Sequence, residues 1–446
     1  MNDPEVLDLA LDLLRKEGVE GEVYLERSIT TKIAVHEGKL ESLVERRDHG
    51  AGVRVFAGQR TAFAFATDLS QSGLSAAIGR ACAIAPHAKL DEANVLPGIA
   101  PALPPLVNVD HRMESVPVAE KVEIAKEVEA SARAESPKIQ KIREASYQDF
   151  LGTIYIANSR GQRITHEAGR SYASISLAAT DSSGSQTGHC VGWALGPHGL
   201  DPAAIGREGA RRGLRKLGAV QPATARTTVV LDPEATAELF GALAPLFSAD
   251  AVLKDRTLLA TRVGDAVASS RVTLVDDGGI AGGFSSAPVD GEGTPTRESV
   301  LIDGGVLRGF FQTAFTARKM GVSPTGNGVR GGYAGSPEPS PTNLYLRPTG
   351  VPRKTLLGMV SSGIYITELM GLHTIDTITG DFSLGASGQA LRDGRLDRPL
   401  DRMAISGNVL ELLMAVEQVA TDLTFLVTGG GATVLLRDIS VSGSGS

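Results

Sequence analysis

The chain has 446 residues, of which 42% are hydrophobic and 21% charged, with 52 glycines and a formal net charge of −7. This is the composition of an ordinary soluble globular protein with many turns, and the acidic balance argues against a nucleic-acid binder, because phosphate contacts need clustered lysine and arginine. No run approaches the roughly 18 apolar residues of a membrane span, and the length exceeds what one core usually supports, so two domains are expected.

Asp3-Pro4 opens a helix with apolar positions at Val6, Leu7, Ala10 and Leu14, and Gly18 closes it. Its first dozen residues are acidic where a signal peptide is basic, which points to the cytoplasm. From Glu22 to Thr67 the pattern changes to alternation broken at Gly38, Gly50 and Gly58, an antiparallel meander. Asp68-Leu69-Ser70 caps a helix running to about Ala85, in which Cys82 is a core residue; Cys82 and Cys190 are too few for a disulfide scaffold. Pro97 to Pro105 reads as an extended loop within the first domain, and Pro117 to Ala134 as a helix with an apolar stripe at Val118, Val122 and Ala125.

Ile142 to Ala179 is again strand, turning at Asn158 to Gly161. It holds a false metal signal. His166-Glu167 lacks a second histidine, since Arg170 and Ser171 occupy the positions where one would stand, and strand alternation sends the pair to opposite faces. His36-Glu37 fails for the same reason. His189, Cys190 and His198 match no zinc spacing and read as a glycine-rich surface loop. Asp201 to Leu217 is a helix whose basic run, Arg207, Arg211, Arg212, Arg215 and Lys216, reads as a solvated face. A boundary at Gly218 to Thr224 gives an N-terminal α+β domain over 1–220 and a β-rich domain over 221–441, with 442–446 a flexible tail.

The stretch from Ala225 to Phe247 is the pivot of the second domain. A β-branched run ends at Leu231, and Asp232, Pro233 and Glu234 then start a helix with apolar positions at Ala235, Leu239, Leu243 and Leu246. A zinc peptidase mounts histidines on such a first turn, because zinc takes neutral imidazoles and a glutamate serves as base. Here the turn offers Pro233, Glu234 and Glu238, with no histidine or cysteine between Ala225 and Phe247. Short β segments follow at Val272–Val275, Ser299–Ile302, Asn343–Leu346, Gly363–Thr367, Phe382–Leu384 and Met403–Ile405, the spacing of a large antiparallel sheet or open barrel. The glycine- and proline-rich Gly326 to Pro341 reads as a mobile flap or partner-contact loop. No GxSxG elbow occurs; Asp276-Asp277 and Asp381 read as turn acids.

The segments GIYITELMG (Gly363 to Gly371), ITGDFSLGASG (Ile378 to Gly388) and ISGNVLELL (Ile405 to Leu413) resemble the TldD/PmbA family, in its TldE (PmbA) branch. Glu37 to Ser70, Phe284 to Glu298 and Ala317 to Gly321 resemble the same family in matching order, so the resemblance covers nearly the whole chain. In that family the TldD subunit carries an HExxxH metal helix and a late cysteine ligand, and TldE is its partner without the metal. On the strand and helix above, the family's histidine positions correspond to Pro233 and Glu238, only Glu234 matches, and the TGGGA segment (Thr428 to Ala432) has no cysteine.

The resemblance implies a subunit without cofactor of its own, zinc in a TldD-like metalloprotease partner, and a shared chamber for unfolded or small peptides, with roles in peptide maturation, antitoxin turnover and modulation of DNA gyrase. Substrate contacts are then expected at Ile366, Thr367, Glu368, Leu369, Met370 and Gly371, either along an open strand edge or lining the shared cavity. Glu368 could equally cap the turn at Gly371. The alternatives are a self-associating peptide-binding scaffold and, weaker, a stand-alone hydrolase using carboxylates or a metal on His189 and His198; the chain alone could also form a homodimer.

Overall fold

The computed structural model describes residues 1–100, 103 and 105–443. Its N-terminal half is a six-stranded antiparallel sheet in the order β3-β2-β1-β4-β5-β6. These strands are β1 (Glu20–His36), β2 (Lys39–Ala57), β3 (Arg60–Ala66), β4 (Ile139–Asn158), β5 (Arg163–Asp181) and β6 (Gly184–Ala194). The expected meander is β1 to β3. The turn between β4 and β5 is held by the Asn158 side chain, which accepts from the amides of Arg160 and Gln162.

Period-two alternation divides this sheet into two faces with different partners. On one face, α1 (Asp3–Lys16) and α2 (Gln71–Ile84) bury Val23, Leu25, Val53 and Val55. Farther along the same face, α3 (Val118–Glu135) and α4 (Pro202–Leu214) bury Ile33, Val35, Tyr147 and Ile175. The opposite face presents Tyr24, Ile156 and Ile164 to Val289 of the C-terminal half. The caps follow local chemistry: Asn2 and Glu5 form a reciprocal capping box on α1, and Ser70 caps α2. The Pro97–Pro105 reading falls partly on residues 101, 102 and 104, outside the described residues. His189 and Cys190 lie in β6, paired with Ser176 and Ile175 of β5, and not in a surface loop. Glycine at 188 and 192 marks the approach of α4 to this strand rather than a turn: a Cβ on Gly188 would stand 2.1 Å from the Gly209 carbonyl oxygen.

The C-terminal half starts with β7 (Ala225–Leu231) and α5 (Pro233–Leu243), followed by α6 (Ala249–Leu253), β8 (Leu274–Asp277), β9 (Glu298–Asp303), β10 (Val306–Leu307) and α7 (Ala314–Met320). Next come β11 (Gly328–Val329), β12 (Glu338–Pro339), β13 (Leu344–Leu346), α8 (Arg353–Gly358), β14 (Ser362–Met370), β15 (Asp381–Arg392) and β16 (Arg395–Asn408). Then follow α9 (Val409–Met414), β17 (Val416–Val419), β18 (Thr424–Leu426), β19 (Gly429–Gly431) and β20 (Val434–Ser442). The strands β16, β15, β14, β7 and β20 form a ring closed by pairing of β16 with β20, so the β-rich half is a closed five-stranded barrel. All its pairs are antiparallel except β7 with β14. One face of the barrel strands joins α5 in the largest core, with Val229, Leu231, Ile364, Ile366, Val434 and Leu436. The other face, at Val230, Tyr365 and Leu435, packs on Leu356 and Val360 in and after α8. The 442–446 tail is shorter than expected: Ser442 pairs with Ala404, and the Gly443 amide donates to the Thr224 hydroxyl, which in turn donates to the Gly443 carbonyl. The rest of it, 444–446, lies outside the described residues.

Gly326 to Pro341 is pinned rather than free, because charge and aromatic anchors outweigh its glycine content. Arg330 is buried on Glu22 of β1 and lies 5.1 Å over the Tyr24 ring. Tyr333 covers Gly50 and Gly52 of β2, where any Cβ would collide with it. Arg54 continues the chain of charges, reaching Glu22 at 3.0 Å and Glu292 at 2.7 Å, and Glu292 accepts from the Ala314 amide at the start of α7. Asp276 is a buried strand residue and no turn acid; it accepts from Thr342 and Asn327, while Asp277 does hold a turn through the Gly279 amide. Asp381 opens β15 and accepts from Asn408, and the turn acid beside it is Asp376. Among the described residues no helix is long and apolar enough to cross a membrane.

Breaking one member of this buried charge chain leaves its neighbours unpaired. Arg54→Leu is expected to lower unfolding stability by roughly 3–5 kcal/mol in denaturant titration. Arg15→Leu, which removes an exposed pair with Asp12, should change it by less than about 0.5 kcal/mol.

Candidate functional site

The site grows from the junction of β7 and α5. Asp232 ends the strand, and its amide donates to the Ile366 carbonyl of β14. One carboxylate oxygen caps α5 by accepting from the Glu234 amide at 3.1 Å; the other accepts the Tyr365 hydroxyl at 2.6 Å. Pro233 takes the first helical position, where a missing N–H costs nothing. The TGGGA segment lies directly against this turn: a Cβ on Gly431 would stand 1.7 Å from the Pro233 carbonyl oxygen, so glycine is required there by contact. The two segments that carry the resemblance at this point of the sequence are therefore neighbours in space.

Helix α4 of the N-terminal half supplies the opposite wall. Its glycines form a packing stripe: Gly206 meets the Val128 carbonyl of α3, and Gly209 and Gly213 lie on Gly188 and Ile175. That close seating aims Arg212, on the same side of the helix as Gly209 and Gly213, and Lys216, in the turn just after it, into the junction between the halves. Arg212 reaches Glu234 at 2.5 Å, Glu208 at 3.1 Å and the His189 carbonyl at 3.2 Å. Burial works against its charge, and the bond to Glu234 and the attraction of its neighbours outweigh burial, so its pKa lies above the ordinary value. Lys216, 6% exposed, holds both oxygens of Glu368 at 2.8 and 2.9 Å. The reading of the basic run as a solvated face is thus wrong for Arg212 and Lys216; Arg207 and Arg211 are exposed as expected.

A bulge in β14 places Glu368. Ile364 and Ile366 point into the large core, and continued alternation would send residue 368 the same way. The register with β15 shifts between Ile366 and Glu368, so Leu369 takes the core-facing place and Glu368 turns toward Lys216 and the Ser387 hydroxyl, 3.0 Å away. Among the six residues expected to touch substrate, Ile366 and Leu369 are core residues and unavailable to a ligand. Thr367 and Gly371 are half-buried, and Met370 is exposed. The open strand edge is absent at Ile364 to Ile366, where β14 is paired with both β7 and β15 to close the barrel; from Thr367 to Met370 it is paired with β15 alone. Glu368 does not cap Gly371, whose positive φ of 79° ends the strand by itself.

Glu238 lies one turn beyond Glu234 and, among the described residues, forms no ion pair. Burial first, then the charges of Glu234 and Glu368, push its pKa up to about 7, with Arg212 acting the other way. At this junction three carboxylates, Glu234, Glu238 and Glu368, meet two fixed cations. No group of three metal-ligating side chains assembles among the described residues. Ser387 already donates to a carboxylate neutralised by Lys216, so it is not set up as a nucleophile.

Family models described as PmbA/TldA metallopeptidase domain 1, central domain and C-terminal domain match residues 21–85, 112–217 and 224–443. A metalloprotease of Methanothermobacter thermautotrophicus is 29% identical over 94% of this chain and 94% of its own length. The metalloprotease PmbA of Escherichia coli O157:H7 is 25% identical over 98% of this chain and 96% of its own. Among solved structures, a Thermotoga maritima protein whose name proposes it as a modulator of a DNA gyrase superposes with a TM-score of 0.90 at 25% identity, covering 99% of this chain and 100% of its own.

Because the folded protein raises the Glu238 pKa from 4.5 to about 7, it binds that proton more tightly than the unfolded chain does. Stability tied to Glu238 is greatest below pH 4.5 and falls as pH rises through 7. Glu238→Gln is expected to be more stable than the native chain at pH 8 by about 1 kcal/mol, allowing for partial exposure, and equal to it near pH 4.5. Melting temperature against pH checks this.

Proposed function

Since this chain belongs to the PmbA/TldD metallopeptidase family, on its PmbA (TldE) branch, we propose that it is the subunit that holds no metal in a two-chain peptidase. A TldD-like partner would carry the zinc and the hydrolysis, and this chain would furnish part of a cytoplasmic chamber for unfolded or small peptides. The observation that carries this reading is that cations of the chain itself occupy the carboxylates at the α5 turn and beside it, Glu234 and Glu368. Zinc requires neutral imidazole or anionic ligands left free to coordinate. Pro233 has no donor atom, Glu234 is bound by Arg212, Glu368 is bound by Lys216, and Glu238 alone lacks a partner. This donor set does not fit the metal.

The chain's own residues support a structural role at such a chamber. Arg212 and Lys216 fix the carboxylates and lock the two halves of the chain together, and Met370, Thr367 and Gly371 remain accessible beside them for contact with an extended peptide. The scaffold reading, with no proteolytic partner, has no separate observation in its favour.

The purified chain is expected to bind less than about one tenth of an equivalent of zinc after dialysis and to leave unfolded casein intact; adding a TldD-like protein with a complete HExxxH helix should restore digestion. Digestion by this chain alone, abolished by a chelator, would overturn the proposal.

A further inference from the structure

Where the barrel closes, β20 changes neighbours. Its first residues, Val434 to Leu436, pair with β17, and its last, Ser440 to Ser442, pair with β16. Between them lies a bulge at Arg437 and Asp438, the latter with a positive φ of 57°. The chain leaving β16 crosses this gap as α9 before it becomes β17. A cleft of about 770 Å3 is left between α9, the bulge and the loop before β8 that carries Arg262. That is the size of a small-molecule site, roughly 300–1,000 Å3, and the mouths of barrels are common places for one.

Three arginines and two acids line the cleft, and their own pairings leave one of each over. Arg226 grips both carboxylate oxygens of Asp438 at 2.8 and 2.9 Å and its carbonyl at 2.6 Å, which holds the bulge. Arg437 is bound to Glu417 and donates to the Thr228 hydroxyl at 3.1 Å. Arg262 has a single long bond, from Nε to Asp265 at 3.4 Å, and its terminal amino groups have no partner among the described residues. The Glu411 carboxylate likewise makes no hydrogen bond or ion pair there, although it lies within electrostatic reach of Arg226. It stands beside an aromatic ring: a Cβ on Gly407 would touch both, 3.9 Å from Glu411 Oε2 and 3.7 Å from Phe382. Leu410 and Met414 extend this apolar wall. Arg262 and Glu411 thus face one cleft with opposite charges and no ion pair between them.

We infer that this cleft binds a short free peptide with apolar side chains, its α-carboxylate on the guanidinium of Arg262 and its α-ammonium on the carboxylate of Glu411. A guanidinium fork matches a carboxylate, and a carboxylate matches an ammonium with its three donors. A phosphate would be repelled by Glu411, and a polycation by Arg262 and Arg226, so only a ligand carrying both charges satisfies both leftovers. The apolar wall takes the side chains between them. Every group belongs to this chain, so the site does not rest on the subunit role proposed above and needs neither zinc nor a second protein.

Equilibrium dialysis of the full chain alone against labelled leucyl-leucine should show saturable binding. N-acetyl-leucyl-leucine, which has no ammonium, and leucyl-leucine amide, which has no carboxylate, should each compete about five- to tenfold more weakly, and glycyl-glycine should be weaker still for want of an apolar body. Glu411→Gln should weaken the free dipeptide by a similar factor and erase its advantage over the N-acetyl form while keeping that over the amide. Arg262→Gln should do the reverse. Unchanged melting curves verify folding of both variants. No binding at millimolar dipeptide, equal competition by the blocked forms, or binding indifferent to both substitutions, as a site at the junction between the halves would give, would overturn the proposal.

Discussion

Two cations at the end of one helix, Arg212 in its last turn and Lys216 just beyond it, decide what the junction of this molecule can be. They come from α4 and the turn that follows it in the N-terminal half and end on Glu234 and Glu368 in the C-terminal half. A partly buried carboxylate needs either a proton, a metal or a cation beside it. Here the cation is covalently part of the chain, delivered by a helix whose glycine stripe seats it against the sheet. The same pairs therefore satisfy the acids, tie the halves together and take up coordination that a metal would need. Glu238, left outside both pairs, holds its proton to near neutrality because it is buried and, beyond that, faces the charges of Glu234 and Glu368.

A second, larger charge chain on the other side of the interface obeys the same logic. Arg330, Glu22, Arg54 and Glu292 alternate in sign through nearly dry surroundings, and each has at least one oppositely charged neighbour. Such pairs add little net stability against an apolar alternative, but they are intolerant of one another's absence. They convert a glycine-rich loop into a clamp over the sheet, with Tyr333 as its aromatic plate.

Much of the secondary structure was legible because the local signals agreed. The β7 to α5 junction is the clearest case, where a β-branched run, an Asp cap and a proline at the first helical position all point the same way and the structure follows. The ordered motifs also led to the family. What the sequence hid was long-range pairing. Nothing local to Arg212 says that it meets Glu234, although the stripe Gly206, Gly209 and Gly213 was a sign that this helix face packs closely instead of facing water. The bulge that turns Glu368 outward is likewise invisible without β15 beside it, and ring closure of the barrel depends on β16 finding β20. Glycine content misled at 326–341, where anchors elsewhere in the chain suppress the freedom that composition suggests.

The closed ring has a consequence for how the molecule comes into being on the ribosome. Thr224 and Gly443, bonded to each other where β7 and β20 meet, are 219 positions apart, whereas every strand of the N-terminal sheet has been synthesised by Ala194. The first half can thus be complete while β7 still waits for the neighbour that closes its barrel, and nascent contacts of such long separation form slowly. For the first part of that interval, until residue 368 has been synthesised, the ammonium of Lys216 stands in water without its carboxylate partner, so a finished domain presents a charge that can hold the unfinished one before its barrel closes.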